Sequence, residues 1–389
     1  MRPLVYLFII TFQTTYLWGQ EEEKPKKFTA KGYLKEMASI SYLGDSSLFQ
    51  NLIHNRLNFA WYPTAHFSAF AEFRNRLLTG DMVKEFPNYD KVVDSYNDYF
   101  DLSANLVNNQ SAILNVMADR LYLQWTDNNW EIKAGRQRIN WGVNLAWNPN
   151  DWFNAYSFFD FDYEERPGSD ALRVVRYTGV ASSVEGAVKA SKDVDHFVGA
   201  GMWKINKRNY DLQFLTGMVQ GDLGLGTGWA GNLKKASFKG ELTYFHKVSE
   251  TIFNTGYNNM FLGAISVDYS FPSSLYLNGS VMYNSQGSLH PAFGALTFSL
   301  RPGTVRSLSP YRWSSFIQSS YQISPLLRTG IALIGYPGSD SFFINPSFTI
   351  SVRQNLDLDL IGQLFYGNDA NGNFGSILQA GYARLKWSF

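Results

Sequence analysis

From residue 33 onward the chain alternates between apolar or aromatic side chains and small, polar or charged ones. Between Arg56 and Trp61, Leu57, Phe59 and Trp61 fall on one face while Arg56, Asn58 and Ala60 fall on the other. From Phe67 to Arg76 the apolar set is Phe67, Ala69, Ala71 and Phe73, and the opposite set holds Glu72, Arg74 and Arg76. Leu121, Leu123 and Trp125 oppose Arg120, Tyr122 and Gln124, and at the end Leu385, Trp387 and Phe389 oppose Arg384, Lys386 and Ser388. Successive side chains of a strand point to opposite faces, so period two predicts β-strands that are wet on one side only. About eighteen such segments can be read, and sixteen would also fit. Their connections alternate in length. Every second one is tight, as at Pro63-Thr64, Asp127-Asn128, Gly179-Val180 and Asn355, while the three longest, near 79–110, 139–169 and 285–310, fall between the others.

Which face is wet decides the fold, because a soluble sandwich alternates too, with its apolar faces packed together. Aromatic residues gather near strand ends, as Trp61-Tyr62, Trp125, Tyr283, Tyr366 and Trp387 do, which suits girdles at two membrane interfaces. Short turns at one rim and long loops at the other point the same way. Composition adds to this: aromatics make up 16% of the chain and charged residues 17%, below the roughly one quarter typical of soluble domains. The fold predicted is all-β, a transmembrane antiparallel β-barrel of about eighteen strands, in which closure leaves no exposed edge. Pro346 counts against the register read there, since proline cannot donate to a ladder. Residues 1–20, with Arg2, the apolar run Leu4–Ile10 and the charged stretch that follows, read as a secretory signal. Residues 21–32 are then an N-terminal periplasmic segment and 33–389 the outer-membrane barrel. No later run is apolar enough for a spanning helix.

The 34 Lys plus Arg against 33 Asp plus Glu leave a formal charge of +1, which argues against nucleic acid as a partner. Absence of cysteine removes disulfides, thiolate metal sites and a cysteine nucleophile. His54, His66, His196, His246 and His290 show no metal-binding spacing, and no Ser groups with a His and an acid, so neither metal, cofactor nor enzyme activity is expected. Gly224-x-Gly226-x-Gly228 has no helix after it and reads as a strand or turn rather than a phosphate loop.

The candidate chemistry lies in the lumen. Arg56, Arg74, Arg76 and Arg120 point inward by alternation, and Arg136, Arg138, Arg173 and Arg176 lie near the same wall. Arg173 and Arg176 cannot both face inward without a bulge, and Ala134-Gly135 is a candidate bulge that would reset Arg136 and Arg138. The long segment after Arg138 carries Asp151, Asp160, Asp162, Glu164 and Glu165 amid Trp141, Trp147, Trp152, Phe153, Tyr156, Phe158, Phe159, Phe161 and Tyr163. So many aromatics do not stay in water. The expectation is an inward-folded loop against the arginine wall, a constriction with a transverse field that selects by charge. Two other readings are open: arginines and acids that simply pair to hold a plug, and an aromatic path on which sugars stack.

The run Gly135-Arg136-Gln137-Arg138-Ile139-Asn140-Trp141-Gly142, followed by Trp147-Asn148-Pro149-Asn150-Asp151 and by Arg166-Pro167-Gly168-Ser169-Asp170-Ala171-Leu172-Arg173, resembles porin-like outer-membrane proteins of Gram-negative bacteria. The similarity is to the Bacteroidota type, and loosely to alginate-export-type porins. It implies a monomeric or homo-oligomeric channel with Arg136, Arg138 and the loop from Trp141 near its eyelet. It also implies outer-membrane lipid and lipopolysaccharide as surroundings, and recognition by the barrel-assembly machinery through the terminal Trp387-x-Phe389, with Arg384 where glycine is common. The function expected is passive or weakly selective diffusion of small polar or anionic solutes. The alternative is a barrel that binds surface polysaccharide and conducts little. Replacing Arg136 and Arg138 together by alanine is expected to shift ion selectivity toward cations.

Overall fold

The computed structural model describes residues 26–44, 46–95, 98–155, 168–289, 304–368 and 372–389. Residues 1–20, expected as a signal, the loop acids Asp160, Asp162, Glu164 and Glu165, and the aromatics from Tyr156 to Tyr163 lie outside the described residues. One antiparallel sheet accounts for nearly all the structure. Its strands are β1 (Phe28–Leu43), β2 (Ser46–Trp61), β3 (Phe67–Gly80), β4 (Ser103–Asn108), β5 (Ala112–Asp127), β6 (Trp130–Gln137), β7 (Ser169–Gly179), β8 (Ser182–Lys189), β9 (Val198–Lys207) and β10 (Tyr210–Val219). They continue as β11 (Asp222–Leu233), β12 (Ala236–Lys247), β13 (Asn259–Ser270), β14 (Leu275–Asn284), β15 (Trp313–Ser324), β16 (Leu327–Gly335), β17 (Phe342–Arg353), β18 (Leu356–Asn368) and β19 (Phe374–Ser388). Strand β1 pairs with β2 on one side and with β19 on the other, which closes the sheet into an 18-strand barrel. The extra strand, β4, pairs with Ile113–Met117 of β5, beyond the stretch from Leu121 that β6 covers. No described helix is long and apolar enough to cross a membrane.

Burial is inverted relative to a soluble domain. Leu121 and Leu123 are 47% and 50% exposed on the outside, whereas Arg56 and Arg74 are buried on the lumen side. All eighteen expected strands are present, and the first begins at Phe28, so residues 28–32 join the wall instead of preceding it. The short connections 62–66, 128–129, 180–181 and 354–355 join strand ends at one rim, and the long ones, 81–111, 138–168 and 285–312, join strand ends at the other. Connection 81–111 holds two short helices, α1 (Asp81–Glu85) and α2 (Tyr89–Val93), whose Val83 and Val93 fold inward onto Met37, Leu52, Leu78 and Ile113.

Two local devices let the sequence follow the wall. In β5 the register slips between Glu72/Arg120 and Phe73/Ala118, a bulge at Asp119 that turns both Asp119 and Arg120 off the lipid face. In β17 Pro346 stands opposite Gly362 without an N–H to offer, and the Asn345 side chain donates to the Gly362 carbonyl instead (2.6 Å). The strand survives its proline because a neighbouring amide replaces the lost donor.

Candidate functional site

Residues 139–155 enter the barrel and lie against the wall of β10 to β15. Shape sets that seat, while the far end of the loop, at Gly168, comes beside Arg120 and Arg136; the loop acids expected against the arginine wall lie outside the described residues. Gly224, Gly226 and Gly228 alternate along the lumen face of β11 opposite Phe245, Thr243 and Glu241. A side chain at Gly224 or Gly226 would come within 3.1 or 3.0 Å of the Trp152 ring, so the glycine row is the shallow track in which the loop sits. Gly226→Val is therefore expected to displace the loop at a cost of about 1–3 kcal/mol and to raise open-channel conductance in planar bilayers. Trp141, Trp147, Trp152 and Phe153 are buried together with Ile139, Phe245 and Phe316. They form the core of the described part of the loop.

Polar groups fix the loop more specifically. Glu241, buried on β12, accepts backbone N–H bonds from Val143 (2.6 Å) and Asn144 (2.9 Å) at one oxygen and from Asn150 (2.8 Å) at the other. Around it Gln213 donates to the Trp141 carbonyl (2.8 Å), Thr243 Oγ1 donates to Pro149 or Asn150, the Asn150 amide reaches the Thr227 carbonyl (3.0 Å), and Ser266 donates to Asn144 (2.6 Å). Trp141 Nε1 donates to Glu185 on β8 (2.6 Å). A loop without secondary structure has many backbone donors to satisfy, and here the wall side chains satisfy them.

A second loop folds inward from β14–β15. Its one-turn 3-10 segment, Val305–Ser307, brings Arg306 to Asp222 in a forked pair (3.0 and 2.8 Å), to the Val219 carbonyl (2.5 Å) and over the Phe245 ring (4.8 Å). Asn254, from the connection 248–258, donates to the other oxygen of the same Asp222 (2.6 Å). Tyr257 in that connection is pushed up to about 12 by burial, so its phenol stays neutral at physiological pH. Val305, Leu308 and Tyr311 share the buried cluster with the 139–155 loop.

The opposite wall carries the charges. Arg56 pairs with Asp119 (2.6 Å) and with Glu72, and Arg74 Nε lies 3.9 Å from Asp119. Arg120 donates to the Asp119 carbonyl (2.8 Å). Arg76 donates to Asn115 (3.1 Å) and to the Val93 carbonyl of α2. Arg173 pairs with Glu185 (2.6 Å) and Glu131 (2.8 Å), while Arg176 is exposed over the Trp130 ring (5.2 Å) on the outside. Arg173 thus faces inward and Arg176 does not, with no bulge between them. Arg136 is held by both oxygens of Asp170 (2.9 and 2.8 Å) and donates to the Ala118 and Phe100 carbonyls, filling the seam where β5 passes from β6 to β4. Arg138 is half-buried just past β6, and Asp151 is buried in the loop. At Ala134-Gly135 the register of β6 runs unbroken on both sides; no bulge forms, although Gly135 adopts φ +118°, where a Cβ would overlap the Leu121 carbonyl oxygen.

Most acids that answer these arginines belong to the wall itself: Glu72, Asp119, Glu131, Asp170 and Glu185. Asp119 was hidden by its bulge. The signal was present, since outward apolar positions switch from even (Leu114, Val116, Ala118) to odd (Leu121, Leu123, Trp125) across it. Glu241 and Arg306 were legible only as a lone acid in a lumen row and a lone cation in a long loop.

No protein-family model and no curated protein matches the chain. Solved structures do. OccAB4 of Acinetobacter baumannii matches with a TM-score of 0.59 at 8% identity, over 93% of this chain and 98% of that one. OccK11 (OpdR) of Pseudomonas aeruginosa gives 0.57 at 9% identity, over 93% and 96%, and OpdQ of the same organism 0.57 at 8%, over 94% and 99%. These neighbours are Occ-type outer-membrane porins of Gram-negative bacteria. At such identities the likeness is one of fold, and it extends over the whole barrel. A closed, almost wholly β barrel with an apolar outer belt is the architecture of a protein of the cell outer membrane.

Proposed function

We propose that this chain is a non-enzymatic outer-membrane channel through which small polar solutes diffuse, with a preference for anions, along the space between the 139–155 loop and the charged wall. The carrying observation is the charge of that wall. Among the described residues the lumen faces of β1, β2, β3, β5, β18 and β19 hold eight cations (Lys31, Lys35, Arg56, Arg74, Arg76, Arg120, Arg384, Lys386) against four acids (Glu72, Asp119, Asp357, Asp359). Fixed rings of one sign select by charge in a water-filled pore. Arg74, Arg76, Arg120 and Arg173 are the cations of the candidate constriction, with Asp151 on the loop; the further acids of this reading, Asp160, Asp162, Glu164 and Glu165, lie outside the described residues. Arg136 and Arg138 frame its rim. Affiliation with Bacteroidota porin-like proteins rests on the runs Gly135–Gly142, Trp147–Asp151 and Arg166–Arg173.

Reversal potentials across a salt gradient test this. Anion preference is expected in the wild type, and it should increase in Asp119→Asn, which removes one wall acid beside Arg56 and Arg74. Cation preference in the wild type would reject the proposed selectivity. A folded barrel that is electrically silent yet retains polysaccharide would favour the binding alternative.

A further inference from the structure

The outer face of β1, β2 and β3 carries polar groups that acyl chains do not match. Glu36 is exposed on that face, between Lys35 and Met37, which are buried on the lumen side. It stands eight residues after Phe28 and six before Tyr42, between the two aromatic ends of β1. Its cross-strand partners, Ile53 and Leu385, are exposed apolar residues. Asn51, Asn55 and Asn75 share the face. The Asn51 amide donates to Glu36 Oε1 (3.2 Å), Asn75 donates to Asn55 (3.1 Å), and Asn55 donates to the Tyr33 carbonyl (3.2 Å). Asn51 Oδ1 has no hydrogen-bond partner among the described residues. Nearer the short-turn rim the same face sinks into a groove of about 290 Å³ whose floor includes Ala69 and Ala71 and whose sides include Phe59, Trp61 and Leu121.

A carboxylate and amides turned toward hydrocarbon are costly, and charged residues at membrane depth normally face protein or water. Lipid offers no remedy: acyl chains have no donors, and anionic headgroups are repelled by Glu36. What fits is a protein surface with its own donors and a side chain for the groove. The face supplies both halves of such a match, because the carboxylate acceptor of Glu36 lies beside the amide donors of Asn51 and Asn75. We propose that this face is where the chain meets a second copy of itself within the membrane, amides of one copy answering Glu36 of the other and the groove taking an apolar side chain. Small residues at such contacts let backbones approach closely. The inference rests on the barrel's membrane setting and not on the channel reading.

The test is the mass of the full chain in lipid nanodiscs, by native mass spectrometry. Wild type is expected at a whole-number multiple, two or more, of the chain mass. Glu36→Leu combined with Asn55→Leu and Asn75→Leu is expected at one copy, with heat-modifiable migration retained as the sign of a folded barrel. Ala71→Trp, which fills the groove and leaves the polar cluster intact, provides a second route to the same single-copy result. A single-copy wild type, an oligomer unchanged in both variants, or a mass that requires a different protein would each overturn the proposal. Conductance per barrel should be unchanged in all three proteins, so loss of the oligomer and failure of the channel reading are separate outcomes.

Discussion

Replacing Glu241 by alanine is expected to raise single-channel conductance several-fold and to make the open level noisy. The carboxylate takes three backbone N–H groups from two separated points of the loop, Val143 with Asn144 and Asn150. Hydrogen bonds to a charged acceptor contribute roughly 1.5–3 kcal/mol each, and buried N–H groups left without an acceptor add a further penalty. The wall groups around it, Gln213, Thr243 and Ser266, meet the loop as donors, so among these contacts Glu241 alone supplies acceptors for the loop's N–H groups. The loop should therefore leave its track on β11. Glu241→Gln is the graded control. Its amide oxygen can keep the Val143 and Asn144 bonds while the Asn150 bond is lost, and conductance should lie between the other two. Equal conductance in all three proteins would mean that the loop is held by its aromatic core alone.

The second large effect is on stability. Arg136→Ala should lower the temperature at which the barrel converts from its compact to its unfolded electrophoretic form, with a cost of about 3–5 kcal/mol, because Asp170 is then buried without its guanidinium. The change should also shift selectivity toward cations, since the residual charge is negative. Removing both partners, Arg136→Ala with Asp170→Ala, should restore part of the stability and return selectivity close to wild type, an interaction that a double-mutant cycle measures directly. If Arg136→Ala melts like wild type while selectivity still moves, the arginine is an exposed pore charge and not a pin in the β5–β6 seam.

These two residues show how much the sequence discloses. Alternation was sufficient for the strands and for the two faces, because lipid outside and water inside impose one period on every strand; Arg56, Glu72, Arg74 and Arg120 lie on the lumen side as their spacing requires. The aromatic run from Trp141 was sufficient to send its loop inward. It did not say which wall the loop would choose, since the track depends on Gly224, Gly226 and Gly228, a motif whose meaning appears only when β12 lies beside β11. Pairing of charges was less legible still. Arg136 and Asp170 are 34 residues apart and meet because β6 and β7 are neighbours, and Asp119 faces the lumen only through a one-residue bulge.

The most direct measurement is the single-channel current of the refolded chain in a planar bilayer, with potassium chloride at different concentrations on the two sides. Discrete, lasting conductance steps with a reversal potential on the anion-selective side are predicted. A barrel that shows the folded, heat-modifiable form yet passes no current at any voltage would contradict the account.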